Sequence, residues 1–311
     1  MKATPIDSLS QSIIKTLLYF DIFNYPLNAK EVFKFLPTNH VTPLAIHDKL
    51  CELTNNNLAF RFGKFFSLQN NTSLIDRRLK GNEEAQRFMS LAHEKATLIQ
   101  KFPFVKSVMA SGSLSKGYMD DTCDLDFFII TQPRKLWIAR TLLVLYKRIF
   151  LANSHKHFCV NYFIDEDSLE IEEKNLYTAI ELTTLIPLTG LDCHEKLMNA
   201  NQWVTHFLPN ANHADGIKDK NSILSPGKKM LERIINIFFP QAVNTFLMKL
   251  TLMRWRKLYA EKYESDDFQI AFKTKPNVSK NHPNYYQKKV LDSYHKKWNE
   301  FSDRYQLNRE S

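Results

Sequence analysis

Gly112-Ser113 and, after an interval of ten residues, Asp124-Leu125-Asp126 are the residues of this 311-residue chain whose types and spacing could do chemistry together. The chain has seven glycines, and two of them, Gly112 and Gly117, fall within six residues. A glycine at a strand-to-helix turn lets the backbone approach a phosphate with no Cβ in the way. The helix N-terminus that follows offers free N–H groups and the positive end of a dipole. Ser113 adds a hydroxyl donor, Ser115 a second hydroxyl and Lys116 a positive charge. Asp124 and Asp126 stand two apart ahead of the apolar run Phe127–Ile130, so on a strand both carboxylates project from one face. Two carboxylates on one face can hold Mg2+ together with nucleotide phosphates. A polar turn with a capping serine and two edge-strand acids is the plainer reading of either half alone.

The stretch GSLSKGYMDDTCDLD resembles the GS-x10-DxD signature of the DNA polymerase beta nucleotidyltransferase superfamily in its minimal form. The resemblance covers about residues 104–165. It implies that Asp124 and Asp126 are catalytic and bind Mg2+, and that Gly112, Ser113, Ser115 and Lys116 hold the NTP. It also implies transfer of a nucleoside monophosphate to a hydroxyl acceptor on a protein, an RNA or a small molecule. Members of the superfamily with full activity usually carry another acid on a neighbouring strand. Here that strand is FCVNYFI, and its polar residue is Asn161. An amide has no charge and is no base at neutral pH. Asp165, Glu166 and Asp167 follow the strand, and Glu181 follows on the next helix. Asn161 therefore favours an alternative: a catalytically weak, nucleotide-binding regulator, like the antitoxin-like members.

Weaker constellations surround this one. His155, His157 and Cys159 alternate, with Cys193-His194 downstream, but the paired CxxC spacing of a zinc site is absent. Asp120 and Asp121 read as a solvated turn. Lys249, Arg254, Arg256 and Lys257 read equally as the wall of an acceptor groove and as an exposed basic helix face.

The elements that must position these residues predict an α+β fold in three parts. Residues 1–70 read as a winged-helix-like domain: three short helices, with a capping box at Asn28/Glu31 and a Thr42-Pro43 start, then an aromatic hairpin about Gly63-Lys64. Its third helix has one lysine, Lys49, against Asp48 and Glu52, which speaks against DNA binding. Residues 71–210 read as the nucleotidyltransferase domain, a small mixed sheet led by a connecting helix over 74–101 that Gly81 interrupts. Its strands are expected at Phe104–Ala110, at Asp124–Ile130 and at Phe158–Ile164. Residues 211–311 read as a basic helical region that opens on a loop and is irregular over 262–283.

Residues 218–311 hold 19 Lys/Arg and 10 Asp/Glu, whereas 1–217 hold 23 of each, so the whole net charge of +9 lies in the last third. Such a region suits an anionic partner: nucleic acid, an acidic lipid surface or a polyphosphate. Residues 231–253 are too charged to span a membrane and read as a buried or interfacial helix. Four scattered cysteines and an N-terminus without an apolar h-region fit a cytoplasmic protein.

Overall fold

The computed structural model describes residues 6–152, 156–211, 226–238, 241–282 and 285–307. The fold is α+β. Helices α1 (Ser8–Asp21), α2 (Ala29–Lys34) and α3 (Pro43–Asn55) begin the chain. Each has a side-chain cap: Asp7 accepts from the Ser10 amide, Asn28 and Glu31 form the reciprocal box, and Thr42 caps the helix that Pro43 opens. Strands β1 (Leu27–Asn28), β2 (Phe60–Phe62) and β3 (Phe65–Ser67) form an antiparallel sheet in the order β1-β3-β2. Ile13, Leu17, Ile46, Leu50 and Phe66 are buried between these helices and this sheet.

Helix α4 then runs unbroken from Ser73 to Gln100. Gly81 does not interrupt it: the Tyr118 ring lies where a Cβ on Gly81 would stand. The glycine is there for close approach, and the Met119 amide donates to its carbonyl.

The larger sheet has the order β7-β4-β5-β6-β9-β8. Strands β4 (Val105–Ser111) and β5 (Asp126–Thr131) are antiparallel and flank the single-turn helix α5 (Gly112–Ser115). Helix α6 (Leu136–Phe150) crosses over to β6 (Cys159–Asp165), which is parallel to β5. Helix α7 (Leu176–Thr184) leads to β7 (Ile186–Thr189), then α8 (Leu191–Ala200) and α9 (Val204–Phe207). Strand β7 carries Pro187 and pairs only with β4, as an edge strand can.

The C-terminal third is helical in α10 (Pro226–Phe238), α11 (Gln241–Tyr259), α12 (Ser265–Ala271) and α13 (Tyr286–Tyr305). It is not irregular over 262–283. That stretch holds α12 and the hairpin of β8 (Thr274–Lys275) and β9 (Val278–Lys280), and β9 joins the central sheet beside β6. The loop expected before α10 falls mostly on 212–225, outside the described residues.

The two faces of this sheet are covered differently. Phe127 and Ile129 point into a core shared with α4, α6, α10 and α11, while Phe128 and Ile130 point into one shared with α7 and the N-terminal helices. No helix among the described residues is long and apolar enough to cross a membrane.

Candidate functional site

Strands β4 and β5 end together where Ser111 pairs with Asp126, and the turn between them carries the residues singled out above. Gly112 has φ +63, a left-handed conformation that glycine adopts at little cost. A Cβ there would collide with Oδ2 of Asp126, so this carboxylate lies against the Gly112 backbone. Asp126 opens β5 and is half-buried, whereas Asp124 precedes the strand and is exposed. The two acids are therefore neighbours at the strand's mouth and not two rungs of one strand, because pairing with β4 begins only at Asp126. By alternation Asp126 shares the face of Phe128, the side that α7 covers.

Asn161 lies beside this carboxylate. Its Nδ2 donates to Asp126 Oδ1 at 2.8 Å. The register of β5 with β6 slips between Phe127 and Phe128, so Asp126 stands opposite Cys159 while Phe128 stands opposite Tyr162, and Asn161 falls in the irregularity. Burial pushes the Asp126 carboxyl up to about 6. The nearby charges of Asp124 and Glu181 push the same way, and the Cys159 thiol and Lys116 oppose them. Burial first, then the Asp126 charge, holds the Cys159 thiol far above its usual range.

The phosphate-side residues are arranged less simply than their spacing suggests. Helix α5 is one turn long, so little dipole stands behind Ser113. The Ser115 hydroxyl donates to the Gly112 carbonyl at 2.9 Å. The Lys116 ammonium donates to the same carbonyl at 3.0 Å and pairs with Glu181 at 2.8 Å. Gly112 thus lies against Asp126, while Ser115 and Lys116 brace the turn through the Gly112 carbonyl.

The other acids sort themselves by place. Asp165 ends β6 opposite Thr131, at the far end of the strands from Asp126, where it accepts from the Arg134 and Asp167 amides. Glu166 is paired with Lys196 at 2.7 Å. Asp120 accepts from the Tyr118 and Thr122 hydroxyls and closes a turn. Glu181 alone of these acids comes near the site, through Lys116. His155 lies outside the described residues. Among the described residues no group of three His, Cys, Asp or Glu could hold a metal, and the DxD of the motif itself carries two carboxylates, Asp124 and Asp126. Two suit Mg2+, which commonly takes one or two protein carboxylates and completes its shell with substrate phosphates and water.

Two features escaped the sequence reading. One is Lys280 on β9, a buried lysine paired in register with Tyr162 and donating to Gln287 Oε1 at 2.8 Å. The next residue's amide donates to the Asn161 carbonyl at 2.9 Å, so the C-terminal hairpin holds the strand that presents Asn161. Pro276-Asn277 between two β-capable pairs was the available signal. The other is the seam with the N-terminal helices. The Tyr25 hydroxyl donates to the Lys116 carbonyl at 2.9 Å, and Asn82 of α4 donates to Tyr25 Oη and to the Gly117 carbonyl. Arg78 of α4 stacks between the rings of Tyr25 and Phe65, donates to the Pro26 carbonyl and pairs with Glu31 at 2.6 Å. The site's turn is thereby fastened to the first seventy residues. In those residues Lys49, the lysine of α3, is committed to Asp7 and Glu52.

No family model, curated protein sequence or solved structure matches this chain.

Proposed function

We propose that the chain is a nucleotidyltransferase that binds Mg-NTP at the mouth of β4 and β5 and transfers a nucleoside monophosphate to a hydroxyl acceptor, breaking the α–β phosphoanhydride bond and releasing pyrophosphate. The observation that carries the reading is the half-buried carboxylate of Asp126, packed against a left-handed glycine at the turn that bears Ser113. Asp126 and the exposed Asp124 would hold the cation, a role suited to a carboxyl that burial and like charge leave short of compensation. A cation bound there supplies charge neutralisation and orientation for an in-line displacement at phosphorus. Gly112 lets the backbone come close to a phosphate, and Ser113 offers a hydroxyl donor. Asn161 fixes Asp126 by its Oδ1 and leaves Oδ2 toward the glycine turn. Lys116 and Glu181 hold the turn in shape rather than meet the substrate.

The same bond favours a second reading. With an amide at Asp126 and Glu181 paired to Lys116, no third carboxylate among the described residues is free beside Asp126 to take the acceptor's proton. On that reading the chain binds nucleotide and regulates a partner without turnover. Isothermal titration with Mg-ATP and the other Mg-NTPs tests the site itself. We expect saturable, EDTA-sensitive binding that Asp124→Asn with Asp126→Asn abolishes. Unchanged affinity in that double variant would remove the site from these residues. A labelled-NTP transfer assay on the parent then separates transferase from regulator.

A further inference from the structure

Helix α10 is mounted with its polar side inward. Lys228 is buried and donates to the carbonyls of Gln100 and Val105 at 2.7 and 2.6 Å. Glu232, one turn on, accepts from the Phe104 amide at 2.7 Å, a residue whose backbone is left-handed at φ +67. With Ile235 these fix which side of the helix meets the protein. The opposite side carries Met230, Ile234, Ile237 and Phe238, and Ile237 and Phe238 are 75% and 71% exposed. Spacings of four, three and one place them in a single stripe. A surface helix ordinarily turns such a stripe toward the core, and here no described residue covers it, so the stripe is left for a partner.

The neighbouring helices continue the pattern. Helix α11 is seated on α6 by the Asn244 side chain, which accepts from the Trp137 and Ile138 amides, and by Trp255 against Trp137. Its outward side presents Phe246 and Met253, 60% and 59% exposed, and α6 ends in an exposed Ile149. Of the sixteen large apolar side chains exposed among the described residues, twelve lie on these three helices. The same two C-terminal helices carry six exposed cations: Lys229, Arg233, Lys249, Arg254, Arg256 and Lys257. Their single carboxylate, Glu232, is the one turned inward.

We propose that this face of α6, α10 and α11 binds the surface of an anionic phospholipid bilayer. Apolar side chains that reach into the acyl boundary and cations at headgroup level are what such a surface selects. A second copy of the chain is the poorer occupant. A twofold contact would bring each row of cations against its own image with no carboxylate between them. Helices α6, α10 and α11 cover one face of the sheet, and Asp126 belongs to the other, so a bilayer here leaves the Asp124/Asp126 mouth open to solution.

Sedimentation of the full chain with phosphatidylcholine vesicles, and with equimolar phosphatidylcholine and phosphatidylglycerol vesicles, tests this. We expect binding to the acidic vesicles only, weakened by salt. Ile237→Asp with Phe246→Asp, at exposed positions and with the parent's melting temperature, should weaken it by about tenfold or more per residue. Arg254→Gln with Lys257→Gln should weaken it by about fivefold per charge. Failure to bind acidic vesicles overturns the proposal. So does acidic-vesicle binding that neither double variant changes, or a concentration-dependent dimer that Ile237→Asp splits in a chain that ignores vesicles.

Discussion

Two buried basic residues, Arg78 on α4 and Lys228 on α10, solve the same problem in ways that define the regions around them. Arg78 meets a carboxylate, a carbonyl and two aromatic faces, all from the N-terminal helices and sheet. Burying a guanidinium with its charge matched closes a seam inside the protein. Lys228 meets the carbonyls of Gln100 and Val105, and burial lowers its pKa to about 8, with the nearby Glu232 charge opposing. Two carbonyls and the nearby Glu232 charge meet its ammonium, and the helix it anchors turns apolar residues outward. The first region is internally complete and holds a turn of the candidate site still. The second, on the proposal above, is completed by a bilayer against it. The difference teaches that burial of charge reports rigidity in one place and an interface in the other, according to what the rest of the helix does.

Breaking the first region should cost most. Arg78→Ala leaves Glu31 and the Pro26 carbonyl without their donor and empties the space between two rings. Removing one partner of a buried pair costs about 3–5 kcal/mol. Denaturant melts should show this loss. Arg78→Lys should recover only part of it, because an ammonium lacks the fork that reaches both acceptors. Full recovery by lysine would mean that charge alone holds the seam.

Asp126 sharpens the comparison, since its half-buried carboxyl has no ion pair among the described residues and Lys116 opposes its burial only from nearby. Its pKa in the folded protein is raised to about 6, with burial as the first cause. The folded state then holds more protons than the unfolded state between the ordinary aspartate range and about pH 6. Stability must therefore fall as pH rises through that window. Asp126→Asn removes this slope while keeping an oxygen for Asn161 to donate to. The metal-free variant should be more stable than the parent at pH 7 by about 1–2 kcal/mol, and should no longer bind Mg-NTP. Parallel melts at pH 4.5 and 7, values chosen on either side of about 6, read the effect. A parent with no pH dependence that differs from the variant would show Asp126 to be well solvated.

Asn161→Asp tests whether the site can be completed. The new carboxylate would stand where an amide now donates to Asp126. Without metal, three close acids repel and the variant should melt below the parent in EDTA. With Mg2+ and a nucleotide analogue it should gain more stability than the parent. A tenfold gain in affinity corresponds to about 1.4 kcal/mol at saturation. Equal Mg2+-induced shifts in both proteins would place Asn161 outside the metal's reach.

What could be read before folding was what depends on neighbours in sequence. The capping box at Asn28/Glu31 and the Thr42-Pro43 start act within one turn, and both are as expected. The strand after Asp126 follows from four apolar residues in a row. Strands β7, β8 and β9 were not foreseen, because four, two and three residues carry no period: β7 and β9 exist through pairing with the distant β4 and β6, and β8 through pairing with β9. Gly81 looked like a break because only Tyr118, far along the chain, explains it. At the site, the spacing of Gly112, Ser113, Asp124 and Asp126 and the place of Asn161 were legible. The diversion of Lys116 to Glu181 was not, since the partner is on another helix. Nor was the orientation of α10. Its periodicity marks a stripe, but only Gln100, Phe104 and Val105 decide that the polar side faces in.

The smallest change probes how much the first seventy residues contribute to the site. Tyr25→Phe keeps the ring, so the stack with Arg78 and the edge contact with Tyr118 persist. It removes the hydroxyl that donates to the Lys116 carbonyl and accepts from Asn82. One hydrogen bond of this kind is worth about 1 kcal/mol, so the melting temperature should fall by only a few degrees. The informative readout is nucleotide affinity. Lys116 is bonded through its side chain to the Gly112 carbonyl, so a loosened Lys116 backbone loosens the glycine turn against Asp126. If the N-terminal helices set that turn, Mg-NTP affinity should weaken by about twofold to fivefold, more than a uniform loss of stability in a still-folded protein would produce. Asn82→Ala, which removes the donor to both Tyr25 and Gly117, should weaken it further in the same direction. Unchanged affinity in both variants, with the stability loss as expected, would make the seam a structural joint with no hold on the site.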